Sequence, residues 1–240
     1  MSVTLVSDTA MVMAAGLGKR MLPLTADRPK PLVEVAGKPL IDHMLDHLEG
    51  AGIARAVVNV HYFPEQLEAH LAHRKNPQVT ISDERDLLLE TGGGLIRAQD
   101  LLPDPFFCVN SDNIWIDGIR NTLCDLSDAW DAARMDALLL VVPHERAHEH
   151  RGKGDFHIES GGRLRRRGAA EESAPYIFIG AQIAAKRLLR DAPQGPFSTN
   201  LLWDRAIAEG RLYGAIHAGH WFDMGTPQAI PPAEAFLRGG

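Results

Sequence analysis

The chain has 240 residues, of which 45% are hydrophobic and 23% charged, and its net charge at neutral pH is −6. This composition is typical of a globular protein with one α/β domain, and it argues against nucleic-acid partners, whose binding proteins are usually basic. Cys108 and Cys124 are too few for a disulfide framework and no apolar run could span a membrane, so we expect a cytoplasmic protein without a membrane partner.

Short apolar runs alternate with amphipathic segments along most of the chain. Residues 11–15 form an apolar run that predicts a buried strand leading into a glycine-rich loop. Residues 40–49 place Leu, Ile and Met on one face, which predicts a helix that Gly50 and Gly52 end. Because strands and helices alternate, we expect a parallel sheet wound on both faces, with ligands at the carboxyl ends of its strands. Further strands are predicted at 56–60, 79–82, 106–110, 137–142, 176–183 and 212–216, and further helices at 64–71, 93–102 and 199–210.

The chain becomes more polar after residue 142. Residues 143–173 are rich in His, Arg, Glu and Gly, and residues 156–164 among them predict a β-hairpin. Near the end of the chain, Pro231 and Pro232 predict a kink or a new start in the last helix.

The most informative segment follows the first predicted strand. Gly16 and Gly18 form a turn that can expose several backbone amides, and Arg20 and Lys30 add two cations. A dinucleotide-binding fingerprint would need a third glycine at the position of Met21, and a Walker loop would need Ser or Thr where Arg20 stands. The segment therefore predicts a polyphosphate site of another kind.

Residues 13–32 resemble the signature of the sugar-1-phosphate nucleotidyltransferases. Three further blocks of that family are matched in the family's order. They are Leu-Glu-Thr-Gly-Gly-Gly at 89–94, Val-Asn-Ser-Asp at 109–112 and Trp-Phe-Asp-Met-Gly-Thr at 221–226. The resemblance covers the chain from about residue 11 to residue 226 and is specific, because four separate blocks agree.

The resemblance implies a doubly wound α/β fold with a mostly parallel mixed sheet, Rossmann-like and GT-A-like. It implies one nucleotidyltransferase domain over residues 1–240, with an insertion on the sugar side at about 143–183. The 240 residues leave no room for the C-terminal left-handed β-helix that many relatives carry, so we expect the compact form, as a monomer or a small homo-oligomer.

The resemblance also implies the reaction, a Mg²⁺-dependent transfer of a nucleotidyl group from a nucleoside triphosphate to a sugar 1-phosphate. The Leu-Glu-Thr-Gly-Gly-Gly block and the short chain favour uridylyl transfer from UTP to N-acetylmuramic acid 1-phosphate. A mannose- or heptose-1-phosphate guanylyltransferase is the alternative within the class. A glycosyltransferase is disfavoured because Asp112 is not followed by the second carboxylate of an Asp-x-Asp motif. A non-catalytic nucleotide-binding regulatory subunit is the alternative from another class.

Individual residues receive roles from the resemblance. Asp112 and Asp223 are the expected Mg²⁺ ligands, consistent with the preference of Mg²⁺ for one or two protein carboxylates beside phosphates and waters. Lys30 is expected to bridge the α-phosphate and the sugar phosphate, and Arg20 to hold the departing pyrophosphate. These four residues form the expected catalytic set, and Gly180 is expected near the sugar phosphate. The remaining expected nucleotide contacts are Met13, Ala14, Gly16, Leu17, Gly18, Lys19, Gly92 and Gly93.

Two polar clusters each have two interpretations. Of His144, His148 and His150, the first and second could lie on one helical face as metal ligands, but a solvated loop is favoured because no third strong ligand is evident. The arginine-rich run at 163–167 could hold an acidic sugar substituent such as a lactyl carboxylate, although an exposed basic strand or turn is favoured. The family's Glu-Lys-Pro segment is missing and residues 83–86 replace its usual Pro-x-Gly, so the sugar contacts and the base preference stay open.

Overall fold

The structure is a computed structural model that describes residues 4–239. The strands are β1 (Thr9–Met13), β2 (Glu34–Val35), β3 (Lys38–Pro39), β4 (Arg55–Val60), β5 (Gln78–Asp83), β6 (Phe106–Asn110), β7 (Ile114–Ile116), β8 (Ala137–Pro143), β9 (Ala147–His148), β10 (Phe156–Ile158), β11 (Leu164–Arg166), β12 (Tyr176–Ala184), β13 (Leu212–Ile216) and β14 (His220–Phe222). The α-helices are α1 (Leu40–Ala51), α2 (Pro64–Leu71), α3 (Glu90–Ala98), α4 (Thr122–Asp128), α5 (Asn200–Ala208) and α6 (Ile230–Gly239). Within the described range, no helix has the length and apolar character needed to cross a bilayer.

A nine-stranded mixed sheet forms the centre of the molecule. β5, β4, β1 and β6 lie side by side in this order, and each neighbouring pair is parallel. β12 runs antiparallel to β6, β8 runs antiparallel to β12, and β13 is parallel to β8. The predicted mostly parallel mixed sheet is confirmed, and the described residues contain no β-helix.

Helices cover both faces of this sheet, as the alternation of apolar side chains along β1 requires. Ala10 and Val12 belong to a hydrophobic cluster that includes the apolar sides of α1, α2 and α4. Met11 belongs to a second cluster, which includes the apolar sides of α3 and α5. Because successive side chains of a strand point to opposite faces, the two clusters are the two layers of a doubly wound fold.

One predicted helix end agrees with the structure and one predicted helix start differs. α1 continues through Gly50 and ends before the predicted Gly52, whose left-handed φ of 91° lets its amide bond to the carbonyls of the last turn. α3 begins at Glu90 rather than at Gly93. The glycine-rich block therefore lies inside the first turns of α3 and not ahead of it.

β12 has an irregularity that opens the sheet. Its residues 181–184 pair with β6, whereas its first residue, Tyr176, pairs with Phe156 of β10. The register against β8 shifts between Phe178 and Gln182, and Gly180 in this bulge has φ 74°. Because β8 occupies the opposite edge of β12, β10 and β6 share one edge of β12 and diverge along it, which leaves a fork between them.

A second, three-stranded sheet has the order β7-β14-β9 and packs against α6. Ile114, Phe222 and Met224 share a hydrophobic cluster with Ala233 of that helix. α6 begins at Ile230, so the two prolines stand in its first turn, where the missing amide donors cost little. The predicted new start of the last helix is confirmed.

The predicted hairpin is also confirmed. β10 and β11 pair in antiparallel register, with Phe156 opposite Arg166 and Ile158 opposite Leu164. Through β10 the hairpin extends the main sheet beyond the fork. The single domain over residues 1–240 and the insertion at about 143–183 stay predictions, and residues 1–3 and 240 lie outside the described range.

A buried carboxylate joins three segments beneath the sheet. Asp136 is 6% exposed and accepts hydrogen bonds from Arg187 and from Arg211. Burial opposes ionisation, but these hydrogen bonds and the two positive charges outweigh it and lower the pKa of Asp136 below its usual value. Asp136 is therefore ionised in the folded protein.

Asp136→Asn is expected to lower the free energy of unfolding at pH 7 by about 1–3 kcal/mol, because it removes the negative charge that accepts hydrogen bonds from two arginines. The folded-state pKa is lowered, so the stabilisation is present above the unfolded pKa of about 4 and is lost as pH falls through the folded value. Urea denaturation from pH 7 to pH 2 measures this. The control is Asp128→Asn, whose exposed pair with Arg120 contributes little. If the difference in the free energy of unfolding between the wild type and Asp136→Asn did not shrink towards low pH, Asp136 would not be stabilising the fold as an anion.

Candidate active site

The loop after β1 carries a row of free backbone donors. Its turn is closed by Gly18, which has φ 61° and whose carbonyl accepts hydrogen bonds from the amide of Met21 and the hydroxyl of Thr25, both at 2.9 Å. A short 3₁₀ turn, Lys19–Met21, follows. The amides of residues 15–20 have no protein acceptor within residues 4–239. The loop therefore offers consecutive N–H groups to an anion, as its sequence predicts.

Lys30 lies directly beneath this loop. Its side chain is 11% exposed, and a Cβ placed on Gly18 would lie 3.0 Å from the Cβ of Lys30. Glycine at position 18 is thus needed both for its left-handed φ and for the close approach of the lysine stem. The ammonium group of Lys30 forms an ion pair with Asp112. A largely buried positive charge therefore lies beside both the loop and the carboxylate.

Asp112 and Asp223 are brought together by the three-stranded sheet. Phe222 of β14 pairs with Ile114 of β7 in antiparallel register, so the residue after Phe222 and the residues before Ile114 reach the same end of the pair. Lys30 acts on both carboxylates, because it pairs with Asp112 and its charge lowers the pKa of Asp223. The two aspartates that the sequence separates by more than a hundred residues therefore reach the same end of the β7–β14 pair.

His150 is a partner of Asp223 that the sequence did not reveal. β9 pairs with β14, and Nδ1 of His150 lies 3.1 Å from Oδ2 of Asp223, where it donates to the carboxylate. Burial would raise the pKa of Asp223, but this hydrogen bond and the charges of His150, Arg20 and Lys30 lower it. Asp223 is therefore held as an anion.

A cavity of about 390 Å³ opens in front of these groups, and we call it the loop cavity. Its wall includes Glu90, which has a left-handed φ of 59°, an unusual conformation for a residue other than glycine. Five predicted site residues line it, namely Met13, Ala14, Gly16, Lys30 and Asp112. Further lining residues that the sequence did not single out are Leu88, Thr91, Asn59, Asn110, Ser111 and Ser198.

Arg20 lies on the other side of Asp223. A second cavity of about 400 Å³, the Arg20 cavity, is lined by Arg20, His150, Arg151 and Asp223 together with neighbouring residues. A Cβ on Gly225 would lie 2.8 Å from Nη1 of Arg20 and 2.9 Å from Oδ1 of Asp223. Glycine at 225 thus leaves room for the guanidinium group beside the carboxylate. Leu17, Gly18 and Lys19 belong to the loop that separates the two cavities, and their side chains line neither of them.

Gly92 and Gly93 do not lie on the lining of the loop cavity. Their amides donate to the carbonyl of Phe197 at 2.8 and 3.2 Å. A Cβ on Gly92 would stand 2.3 Å from the Phe197 ring, and one on Gly93 would stand 2.5 Å from the carbonyl oxygen of Gly195. Close packing of α3 against this segment therefore accounts for both glycines, and the expected contact of their backbone with a bound base stays a prediction.

A buried hydrogen-bond network supports the far wall of the loop cavity. Asn59 accepts from the amide of Ala14 at 2.6 Å and donates to Glu84 at 2.8 Å. Burial raises the pKa of Glu84 despite this hydrogen bond. Gly94 permits the network, since a Cβ there would lie 2.8 Å from Glu84 and 3.0 Å from Asn59. The sequence signal for Asn59 is a lone polar residue within the apolar strand β4.

A third cavity of about 330 Å³ occupies the fork between β6 and β10, and we call it the fork cavity. It shares Met13, Thr91, Asn110 and Ser198 with the loop cavity, so the two adjoin. Gly180 lines it, and a Cβ there would stand 2.0 Å from Nδ2 of Asn113 and 2.7 Å from Nδ2 of Asn110. The remaining lining residues include Asp155, Phe156, Arg166, Phe178 and Trp203.

Comparison with known proteins decides what this arrangement is. The family described as nucleotidyl transferase matches residues 9–152. The chain is 46% identical over 233 residues to the N-acetylmuramate alpha-1-phosphate uridylyltransferase of Caulobacter vibrioides, covering 95% of this chain and 96% of the relative. It is 32% identical to the enzyme of the same name from Neisseria meningitidis, covering 94% and 96%. The chain belongs to the nucleotidyl transferase family.

A solved structure agrees with this assignment at the level of the fold. The inositol-1-phosphate CTP transferase of T. maritima superposes with a TM-score of 0.79, covering 97% of this chain and 95% of the other, at 16% identity. The predicted family, fold class and enzyme class are therefore confirmed. This nucleotidyl transferase is an enzyme that transfers a nucleotidyl group to a sugar 1-phosphate, and it binds both substrates.

Nucleotidyl transferases generally use a divalent metal ion, and the carboxylates of this one suit it. Asp112 and Asp223 lie at the same end of the β7–β14 pair, and their side chains are 32% and 27% exposed, so an ion can reach them. No group of three or more His, Cys, Asp or Glu residues within the described range could hold a metal ion on its own. Two carboxylates fit an ion that takes its remaining ligands from phosphates and water.

The histidine cluster matches neither interpretation offered by the sequence. His144 forms a hydrogen bond with the carbonyl of Ala174. His148 stacks on Phe222 and forms a hydrogen bond with His220. His150 donates a hydrogen bond to Asp223. The segment joins the small sheet through the two residues of β9, while His144 is exposed. The expected loop is therefore partly replaced by a strand, and His150 is the histidine of the three that contacts a predicted site residue.

Proposed function

We propose that this nucleotidyl transferase catalyses the Mg²⁺-dependent transfer of a uridylyl group from UTP to N-acetylmuramic acid 1-phosphate. The near-full-length similarity to two enzymes of that name supports the acceptor and the nucleotide. The observation that carries the chemistry is the row of amides at residues 15–20, without protein acceptors in the described range and beside the Lys30–Asp112 pair. That combination serves a triphosphate and a second phosphate together.

The reaction forms one bond and breaks one. An oxygen of the sugar phosphate attacks the α-phosphorus, and the bond from that phosphorus to the bridging oxygen breaks, so the electron pair leaves with pyrophosphate. A phosphate is already ionised at neutral pH, so the protein needs neither a nucleophile nor a general base. Its task is to hold two anions in line and to balance their charge.

Each group of the site has a role in that task. The free amides of residues 15–20 hold the triphosphate in the loop cavity, and Lys30 binds between the α-phosphate and the incoming phosphate. Arg20, on the far side of Asp223, receives the departing pyrophosphate in the Arg20 cavity. Asp112 and Asp223 would hold Mg²⁺, which when bound neutralises charge that builds up on the phosphates. The sugar extends from Lys30 into the fork cavity past Asn110.

A thermal-shift panel tests the nucleotide. With Mg²⁺ present, UTP is expected to raise Tm more than GTP, CTP or dTTP, because a ligand that binds the folded state selectively stabilises it. The same panel without Mg²⁺ is the control and should give smaller shifts. A larger rise with GTP would favour the mannose- or heptose-1-phosphate guanylyltransferase instead.

A pyrophosphate-release assay over a grid of nucleoside triphosphates and sugar 1-phosphates tests the reaction itself. Release that requires both UTP and N-acetylmuramic acid 1-phosphate is the expected result. A protein that binds UTP in the thermal-shift panel but releases no pyrophosphate with any sugar phosphate would instead be a nucleotide-binding regulatory subunit.

A further inference from the structure

Arg166 is the cationic side chain in the wall of the fork cavity. The other charged residue of that wall is Asp155, whose carboxylate accepts the amide of Phe178 at 2.9 Å. The rest of the lining consists of neutral polar, aromatic and aliphatic residues. A ligand in the fork cavity therefore meets one positive side chain.

The guanidinium group of Arg166 is held in a fixed plane. Its Nε donates to Asp204 at 2.8 Å and its Nη2 to the side chain of Asn200 at 2.9 Å. Its carbon lies 5.0 Å from the ring centre of Phe156 and 5.7 Å from that of Trp203. Its Nη1 has no acceptor among the protein atoms of the described residues. Hydrogen bonds from Nε and Nη2 thus position the guanidinium group, and Nη1 is left to donate to a ligand.

The neighbouring arginines are engaged elsewhere. Arg165 donates to both carboxylate oxygens of Glu171, which helps to lower the pKa of Glu171 to about 2. Arg167 donates to the carbonyl oxygens of Gly154 and Glu171. Arg163 is exposed and lines none of the three cavities described above. Alternation along β11 therefore leaves Arg166 as the arginine of this run that faces the fork cavity.

Asp204 does not cancel the charge of Arg166. The side chain of Asp204 is 60% exposed, so water and salt screen the pair, and such surface pairs contribute little. The Phe156 ring beneath the guanidinium group excludes more water than the exposed side that faces Asp204. An anion bound on the cavity side would therefore interact with Arg166 more strongly than Asp204 does. A carboxylate is the anion that matches the geometry of a guanidinium edge.

Extending the proposed function, on which it rests, we propose that Arg166 binds the carboxylate of an acidic sugar and selects that sugar over a neutral one. N-acetylmuramic acid 1-phosphate differs from N-acetylglucosamine 1-phosphate by a lactyl ether that bears a carboxylate. With the 1-phosphate at Lys30, the sugar ring passes Asn110 into the fork cavity, where its substituents meet Arg166. Arg166 is thus the specificity-determining residue for the acceptor.

The test compares kcat/KM with UTP for the two sugar 1-phosphates in the wild type, Arg166→Gln and Arg163→Gln. Arg166→Gln is expected to lower the ratio of acidic to neutral sugar by roughly 10- to 100-fold, the loss of one charge-assisted hydrogen-bond partner. Arg163→Gln, a matched loss of charge three residues away, is expected to keep the wild-type ratio. Arg166→Lys retains the charge without the planar fork and should give an intermediate ratio.

Circular dichroism and the Tm rise with UTP establish that each variant is folded and binds nucleotide. If Arg166→Gln does not fold, Arg166→Lys carries the test, because a lysine can still pair with Asp204. An unchanged ratio in the folded variant, or an equal loss on both sugars, overturns the inference about Arg166. A wild-type enzyme that prefers the neutral sugar instead overturns the proposed acceptor, so the two failures are distinguishable.

Discussion

Lys30→Met is expected to lower kcat by about 10²- to 10³-fold, the cost of removing one preorganised charge at a transition state. The side chain of Lys30 is 11% exposed, and its ammonium group lies beside both Asp112 and the row of free amides. Because its contact strengthens as the phosphorus transfers, the affinity for UTP should change much less than kcat. Steady-state kinetics, combined with the thermal shift produced by UTP, separates the two effects.

The matched control is Lys19→Met. Lys19 is an exposed cation of the same loop, and its expected contribution is its backbone amide, which methionine retains. Its kcat should therefore stay close to that of the wild type. Lys30→Arg should not restore activity, since a planar fork cannot take the place of a compact ammonium beneath Gly18. A Lys30→Met variant with wild-type kcat would show that the in-line arrangement is wrong.

The sequence predicts the central parts of this site because they depend on local chemistry. A turn with Gly16 and Gly18 exposes amides wherever it occurs, and the structure leaves those of residues 15–20 without acceptors in the described range. Asp112 and Asp223 follow short apolar strands, and the ends of paired strands meet. The alternation of strands and helices likewise fixes the layers of the fold, since each apolar face must be buried.

Other parts depend on pairings between distant segments, which no local pattern encodes. His150 reaches Asp223 only because β9 lies beside β14, a contact across 73 positions of the chain. The fork cavity exists because β12 bulges at Gly180 and changes neighbours from β6 to β10. A sequence shows that Gly180 is a glycine but not that Asn113 stands 2.0 Å from its missing Cβ.

The glycines of the 89–94 block also show what a local sequence pattern leaves undetermined, namely which neighbour each glycine makes room for. In sequence, a glycine that admits a ligand is indistinguishable from one that admits a neighbouring segment. Gly92 and Gly93 admit Phe197 and Gly195, while Gly94 admits the Asn59–Glu84 pair behind the loop cavity. The block therefore shapes the nucleotide site through packing, although its first two glycines do not line the cavity.

Asp223→Asn is expected to lower kcat/KM by about 10²- to 10³-fold and to raise the Mg²⁺ concentration for half-maximal activity at least about tenfold. Asparagine keeps the shape of the side chain but loses the charge that His150, Arg20 and Lys30 stabilise. Nearby positive groups then lack their counter-charge, which weakens the attraction for a divalent ion. Initial rates measured over a Mg²⁺ titration at saturating UTP give both values.

Asp112→Asn and the double variant complete this test. If the two carboxylates act on one ion, replacing the second after the first should lower kcat/KM little further. The double variant should therefore have about the kcat/KM of the less active single variant. Losses that multiply instead would mean independent roles. Asp128 is an exposed carboxylate that lines none of the three cavities, so Asp128→Asn should leave the Mg²⁺ titration unchanged. The prediction of a single site rests on the antiparallel pairing of β7 with β14, which brings Asp112 and Asp223 to the same end of that pair.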